Sequence, residues 1–240
     1  MKVFVIIPAA GLGTRMAPVA GAPKQFTEIA GVPILIHTLR KFAAIPEVSE
    51  IYLALRSPDG ERFRPRLEQE QPARPVHLVE GGENRQQSVA NALAKLQERS
   101  QPAPDDIVLV HDAVRPLVDV ETIHHVIAAA AKHGAAIAGV PAVDTVKQVD
   151  RTADGAIVIT TLPRERVVMA QTPQGFRYEV VKKAFEDAQA DGFTGTDEAS
   201  LVERSGHEVA VVMGSARNLK ITSPADLELA EFYLGQEKND

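Results

Sequence analysis

The residues best placed to do chemistry begin in a glycine-rich stretch near the amino end. Val3 to Phe26 reads VFVIIPAAGLGTRMAPVAGAPKQF, and from Pro8 to Phe26 the charged side chains are Arg15 and Lys24. Gly11, Gly13 and Gly21 allow φ > 0 and let a ligand approach without a Cβ in the way, while Ala9, Ala10, Ala17, Ala20 and Ala22 keep the wall low. Exposed amides beside fixed positive charge make a seat for phosphates, for which a triphosphate is the natural guest. The alternative is a surface loop with two solvated cations. Two better-known phosphate loops do not fit. GLGTRM begins like GxGxxG but has Met16 where the third glycine belongs, and no GxxxxGK[ST] occurs.

A second set of candidates lies further along. Asp112, in HDAVRP, follows the apolar run IVLV. A carboxylate there, opposite a phosphate loop, suits a hydrated Mg²⁺ held by one protein oxygen and several phosphate oxygens; it equally suits a loop carboxylate paired with Arg115. GGENRQQS places Gly81 and Gly82 before Ser88, where bare backbone groups and a hydroxyl can read the edge of a base or simply make a turn and a cap. VDTVK holds Thr145 and Lys147, TLPRE holds Arg164 and RNLKIT holds Lys220. Each can be a solvated polar residue, or together they can clamp a second phosphorylated substrate. His111 has no second histidine at metal-ligand spacing, and His124 and His125, adjacent on a helix, point apart. No histidine is assigned a role.

What must position these groups is an alternation of strands and helices. Val3 to Ile7 is too short for a membrane span and suits a strand buried on both faces. The loop after it, about fifteen residues, far exceeds the usual 2 to 6 of a strand-to-helix connection. A short extended piece, a turn at Gly31 and a helix opening on Pro33 follow, with Ile34, Leu35, Thr38, Leu39 and Phe42 as the buried stripe. Further strands are expected at Glu50 to Leu55, VHLVE, DIVLV, AAIAGVPAV, EVAVVM and NLKIT. Helices are expected over Asp59 to Gln71, interrupted at Pro65, and over the segment that turns Val89, Ala92, Leu93 and Leu96 inward. Others run over Val120 to His133, over Tyr178 to Ala190, after an N-cap at Thr196, and over Ala225 to Leu234 behind the cap Ser223-Pro224-Ala225-Asp226.

This order predicts an α/β fold with a doubly wound, mostly parallel sheet, as a single domain over residues 1–240. The alternation breaks between Asp144 and Thr172. TVKQVD, a turn at Asp154-Gly155 and AIVITTL read there as a β-hairpin, an inserted arm over about residues 142–171.

PAAGLGTRM followed by PKQF resembles the activation loop of the nucleoside-diphosphate-sugar pyrophosphorylase superfamily, in particular that of the 2-C-methyl-D-erythritol 4-phosphate cytidylyltransferase family. HDAVRP, QTPQGF and TDEAS extend the likeness from Val3 to the last helix. The resemblance implies a Rossmann-like nucleotidyltransferase in which Arg15 and Lys24 are catalytic. Ala9, Ala10, Gly11, Gly13 and Ala113 belong to the implied nucleotide site. Gly82, Glu83 and Ser88 match positions that contact cytosine, the first two largely through backbone, although aspartate is frequent where this chain has Glu83. Asp112 is implied to bind the metal, Mg²⁺ or another divalent cation, near the ribose. Thr145, Arg164 and Lys220 match residues that bind the phosphate of methylerythritol phosphate. In that family the hairpin crosses to a second subunit, so the resemblance implies a homodimer in which Thr145 and Arg164 serve the neighbour's site.

The expected substrates are therefore CTP and a polyol phosphate. Rival readings are the same chemistry on ribitol 5-phosphate, a non-catalytic nucleotide-binding module, and a nicotinamide-dependent oxidoreductase, which Met16 and Lys24 disfavour. A net charge of -6 and a pI near 5.7 argue against a nucleic-acid partner. No apolar run approaches the roughly 18 residues that span a membrane. With no cysteine there is no disulfide framework and no catalytic thiol. The short apolar run broken by Pro8 is too little for a signal peptide, and a cytoplasmic location is expected.

Overall fold

The computed structural model describes residues 1–11 and 23–237. In chain order it runs β1 (Val3–Pro8), β2 (Glu28–Ile29), β3 (Val32–Pro33), α1 (Ile34–Ala43), β4 (Val48–Leu55), α2 (Ser57–Glu70) and β5 (Val76–Glu80). Then come α3 (Arg85–Ser100), β6 (Ile107–Val110), α4 (Val120–His133), β7 (Ala135–Pro141), β8 (Val146–Thr152) and β9 (Gly155–Leu162). The chain closes with β10 (Val168–Arg177), α5 (Tyr178–Ala190), α6 (Glu198–Arg204), β11 (Ala210–Met213) and α7 (Pro224–Glu237).

Side-chain alternation along β1 sorts the core into two layers. Val3, Val5 and Ile7 enter one, Phe4 and Ile6 the other, and all five are fully buried. A strand apolar on both faces needs helices on both. Leu39 of α1, Phe63 of α2 and Val126 of α4 pack on the first face, whereas Val89 of α3, Val181 of α5 and Leu201 of α6 pack on the second. The predicted stripe of α1 and the inward residues of α3 are all buried. The resulting sheet has the order β11-β7-β10-β6-β1-β4-β5. Every pairing in it is parallel except those of β10, which runs antiparallel to both β6 and β7.

That strand escapes sequence reading because QTPQGF carries a proline and a glycine, both poor in central strands. The structure accommodates the proline with a bulge. Val168 to Ala170 pair with Pro141 to Gly139, the ladder then breaks, and it resumes with Gln174 opposite Ile137. Gln171, Thr172 and Pro173 thus stand out of the β7 ladder, so the missing amide of Pro173 leaves no gap there; the Thr172-Pro173 peptide is cis. The hairpin itself is β8 against β9, a separate two-stranded sheet exposed along nearly its whole length. Residues 168–171, which sequence reading left with the arm, already form the first part of β10.

Three smaller expectations are corrected. Helix α2 runs through Pro65 without a break. NLKIT is irregular, because side chains rather than a ladder hold it: Asn218 donates to the Thr172 carbonyl, and Thr222 is bound by Asp226. The N-cap of α6 is Asp197, not Thr196; the Asp197 carboxylate accepts from the Ser200 amide at 3.0 Å. The cap proposed for the last helix is present, with Ser223 Oγ accepting from the Asp226 amide and the Asp226 carboxylate accepting from the Ser223 amide.

Gly175 sits where α4 presses on β10. A Cβ there would stand 2.7 Å from Val126 Cγ1 and 3.0 Å from Leu109 Cδ2. Gly175→Val should therefore cost about 1–3 kcal/mol through overpacking, read by urea unfolding. Unchanged stability would show that helix and sheet do not approach this closely.

Candidate active site

The chain leaves β1 for β4 and β5 on one side and returns through α3 to β6 on the other. β1 therefore marks the point where strand order reverses, and in such sheets ligands bind outside the carboxyl ends of the strands there. The cleft at that rim is lined by Ala9, Ala10 and Gly11 after β1, by Lys24 and Gln25, and by Gly82 to Arg85 with Ser88 after β5. Asp112 and Ala113 after β6, and Lys220, complete it. The structure thus brings together most of the residues singled out from the sequence. Gly13 and Arg15 lie outside the described residues. Thr145 and Arg164 are exposed at the base of the arm and do not line this cleft; the Arg164 guanidinium donates to the Val143 carbonyl at 2.9 Å.

The first wall is backbone brought unusually close to backbone. The Ala9 amide extends the sheet by donating to Ala54, and the Gly81 amide does the same to Leu55. A Cβ on Gly81 would fall 2.3 Å from the Cβ of Ala10, so both positions must stay small. Ser88 Oγ accepts from the Gly82 amide at 3.0 Å and donates to the Asn84 carbonyl at 2.8 Å, while Asn84 caps α3. The turn-and-cap role weighed for these residues is therefore real, and it holds the glycine amides at the cleft. Gln25, which sequence reasoning missed although it stands in PKQF, is buried and donates through Nε2 to the carbonyls of Ala9 and Gly11. It ties the far end of the glycine loop to its start and sets Lys24 beside the cleft, where Nζ donates to the Ile221 carbonyl at 3.3 Å.

The second wall centres on Asp112. Its carboxylate is buried yet meets three cations: Arg85 Nε at 3.3 Å on Oδ1, with Arg115 Nε at 3.2 Å and Lys220 Nζ at 2.9 Å on Oδ2. Burial alone would push this carboxyl up, but the Arg85, Lys220 and Arg115 charges together hold it well below the usual carboxylate range. The two readings of Asp112 are thus not exclusive, since Arg115 pairs with it while the group stays ionised and open to the cleft. Among the described residues no three His, Asp or Glu side chains cluster in a metal cage. The donor set fits a hard divalent ion held by one carboxylate and otherwise by phosphate and water. Both Asp112 oxygens carry a cation already, so such an ion fits only together with a polyphosphate.

A buried network beneath fixes this arrangement, and most of it went unread in the sequence. The Asp112 amide donates to Thr172 Oγ1 at 3.0 Å. The Thr172 proton is then free to go to His111 Nδ1 at 3.1 Å, which leaves His111 Nε2–H to donate to the Arg115 carbonyl at 3.0 Å. Asn218 donates to the Thr172 carbonyl and accepts, through its own carbonyl, from Arg115. Burial holds His111 neutral, with its pKa down to about 4. Its ring is a spacer, consistent with its having no assigned chemistry.

An α/β sheet whose rim carries a glycine-rich segment, two lysines and an aspartate held by three basic side chains has the architecture of a Rossmann-like nucleotidyltransferase. The family model of 2-C-methyl-D-erythritol 4-phosphate cytidylyltransferase (IspD) matches residues 3–236. Proteins of that name from Acidobacterium capsulatum and Solibacter usitatus are 57% and 55% identical, covering 100% and 99% of this chain and 100% and 97% of their own lengths. The crystal structure of the Francisella tularensis enzyme of the same name is similar with a TM-score of 0.81 at 36% identity, over 97% of this chain and 99% of that one. The chain belongs to the 2-C-methyl-D-erythritol 4-phosphate cytidylyltransferase family.

The His111 environment gives a test of the network. Its folded pKa, about 4, lies below the ordinary histidine value of 6.5, so as pH falls through 6.5 the unfolded chain takes up a proton that the folded chain refuses. Stability from this group is complete above that range and declines towards pH 4. Between pH 7 and pH 5 the parent should lose about 2 kcal/mol more than His111→Asn in chemical unfolding. Parallel losses would mean that His111 is not held neutral by the fold.

Proposed function

We propose that the protein joins CTP and 2-C-methyl-D-erythritol 4-phosphate to give 4-diphosphocytidyl-2-C-methyl-D-erythritol and pyrophosphate. The observation that carries this reading is the family match over residues 3–236, with the family's motif residues Lys24, Ser88, Asp112 and Lys220 converging on one rim. A phosphate oxygen of the acceptor attacks the α-phosphorus of CTP in line. The bond from that phosphorus to the bridging oxygen breaks, and pyrophosphate leaves with the electron pair. The acceptor phosphate is already anionic and needs no base, in keeping with a site whose one nearby histidine is buried and neutral.

Catalysis is then orientation and charge stabilisation. Lys24 lies at the mouth of the glycine loop, where a triphosphate would draw it, and Arg15 is assigned the same task. The Gly82 amide region and Ser88 are assigned the cytosine edge, and Ala9, Ala10, Gly11, Gly13, Glu83 and Ala113 the rest of the nucleotide. A divalent cation, Mg²⁺ in this reading, when bound through Asp112 would screen the crowded phosphate charges. Lys220 is assigned to the acceptor phosphate, and to reach it must give up its contact with Asp112.

Thr145 and Arg164 are assigned to the acceptor phosphate across a homodimer. An isolated two-stranded hairpin is at best marginally stable in water. This one carries exposed Ile157, Val158 and Ile159, and exposed Val168, Val211 and Met213 share one face of the adjoining β10, β7 and β11 strands, apolar surface suited to a second copy of the chain. We place the enzyme in the cytoplasm, where CTP is made and used.

Pyrophosphate release with methylerythritol phosphate and ribitol phosphate in parallel tests the reaction; release with the second alone would overturn it. Lys24→Ala should keep CTP affinity within a few-fold and lose roughly 100- to 1,000-fold in kcat, by analogy with loss of an oxyanion donor. Turnover close to the parent's removes Lys24 from the mechanism. Mixing inactive Arg164→Ala and Lys220→Ala proteins should restore activity through hybrid dimers, each holding one site with both groups. No recovery after verified subunit exchange would place all groups of a site on one chain.

A further inference from the structure

The three cations on Asp112 are not equivalent. Arg115 is pinned from behind by the Asn218 carbonyl at 2.7 Å. Arg85 is pinned by Glu198, whose Oε1 accepts from its Nη1 at 2.5 Å. Lys220 is the most exposed of the three, its side chain 36% accessible against 29% for Arg85 and 11% for Arg115. Two counterions are therefore fixed and the third can be exchanged.

We infer that Arg85 and Glu198 act as a positioning pair: they hold Oδ1 of Asp112 and thereby keep Oδ2 turned to the exchangeable place that Lys220 fills here and a phosphate-bound cation takes during the reaction. This rests on the reading of Asp112 as the anchor for a divalent cation. Neither member touches that cation, and their task is to aim the group that does.

Glu198 is the informative member. It opens α6 directly behind the Asp197 cap and is 1% exposed. Its Oε2 has no hydrogen-bond partner among the described residues. Burial works against its ionised form more strongly than Arg85 favours it, so its pKa is raised. A buried carboxylate with one bare oxygen is costly, and a well-packed apolar side chain is often as good for stability. What Glu198 supplies instead is direction. Arg85 opens α3 and Asp112 follows β6, so the chain Glu198-Arg85-Asp112 crosses from α6 through α3 to the rim of the sheet. Outer partners of this kind typically change metal affinity or activity by about 10- to 100-fold when removed.

The test is calorimetric and needs no turnover: CTP affinity of the full-length protein is measured with and without Mg²⁺, and the ratio gives the metal-dependent gain. Thermal unfolding confirms that each variant is folded. Glu198→Gln should shrink that gain about 10-fold or more while leaving metal-free CTP affinity near the parent's. Arg85→Lys, which keeps the charge but not the planar fork, should shrink the gain to the same extent, and the double variant's gain should be no smaller than either single one's. A merely structural role would lower metal-free affinity and leave the ratio alone. Asp112→Asn separates the two levels. If it loses the gain while folded Glu198→Gln and Arg85→Lys keep it, the positioning pair is wrong and the metal anchor stands. If Asp112→Asn keeps the parent's ratio, both fall.

Discussion

A carboxylate almost without solvent stays ionised only under matching positive charge, and at Asp112 that charge comes from three separate parts of the chain. Arg85 opens the helix after β5, Arg115 lies in the loop that Asp112 begins, and Lys220 arrives from the segment before the last helix. Each partner requires its own element to be in place, so the ion cluster couples the site to nearly the whole sheet. Desolvating such a group costs several kcal/mol before any pairing. The fold meets that cost with geometry that also leaves the Lys220 ammonium at the edge of the cleft.

The antiparallel strand β10 is the less obvious part of the same solution. Placed between β6 and β7 it interrupts a parallel sheet, and its bulge lifts Gln171 and Thr172 out of the β7 ladder. Those two side chains are what the site uses. Thr172 receives the Asp112 amide, and Gln171 donates to Ser215 and accepts from Asn218, so the segment carrying Lys220 is tied to the strand that supports Asp112. A regular strand would have passed beneath the rim without touching it.

The opposite wall works through smallness. Ala10 and Gly81 meet at a distance that leaves no room for a larger pair, and Gln25 donates its amide to the carbonyls of Ala9 and Gly11. Backbone groups so held keep this wall of the cleft fixed in place. The small-residue wall and the buried aspartate thus face one another across one cleft, with Lys24 on one side and Lys220 on the other.

Periodicity and local chemistry determined much of this from the sequence. The five apolar residues of β1, the stripe of α1, the bounds of α4 and α5 and the presence of the hairpin follow from short-range pattern, because burial on one or two faces writes itself at a spacing of two or between three and four. The hairpin's turn falls at Ala153-Asp154, one residue before the Asp154-Gly155 expected. Motif resemblance likewise picked out Lys24, Ser88, Asp112 and Lys220. What the chain could not show in one dimension was pairing between distant segments. Pro173 hid a central strand because its missing amide matters only where a neighbour needs it, and the bulge removes that need. Arg85, Glu198 and Asn218 look like ordinary polar residues until the fold sets them around Asp112, and His111 is a neutral spacer only because its surroundings are dry. Residue type fixes what a group can do; burial and the distance to a partner, which tertiary structure alone decides, fix which of those things it does.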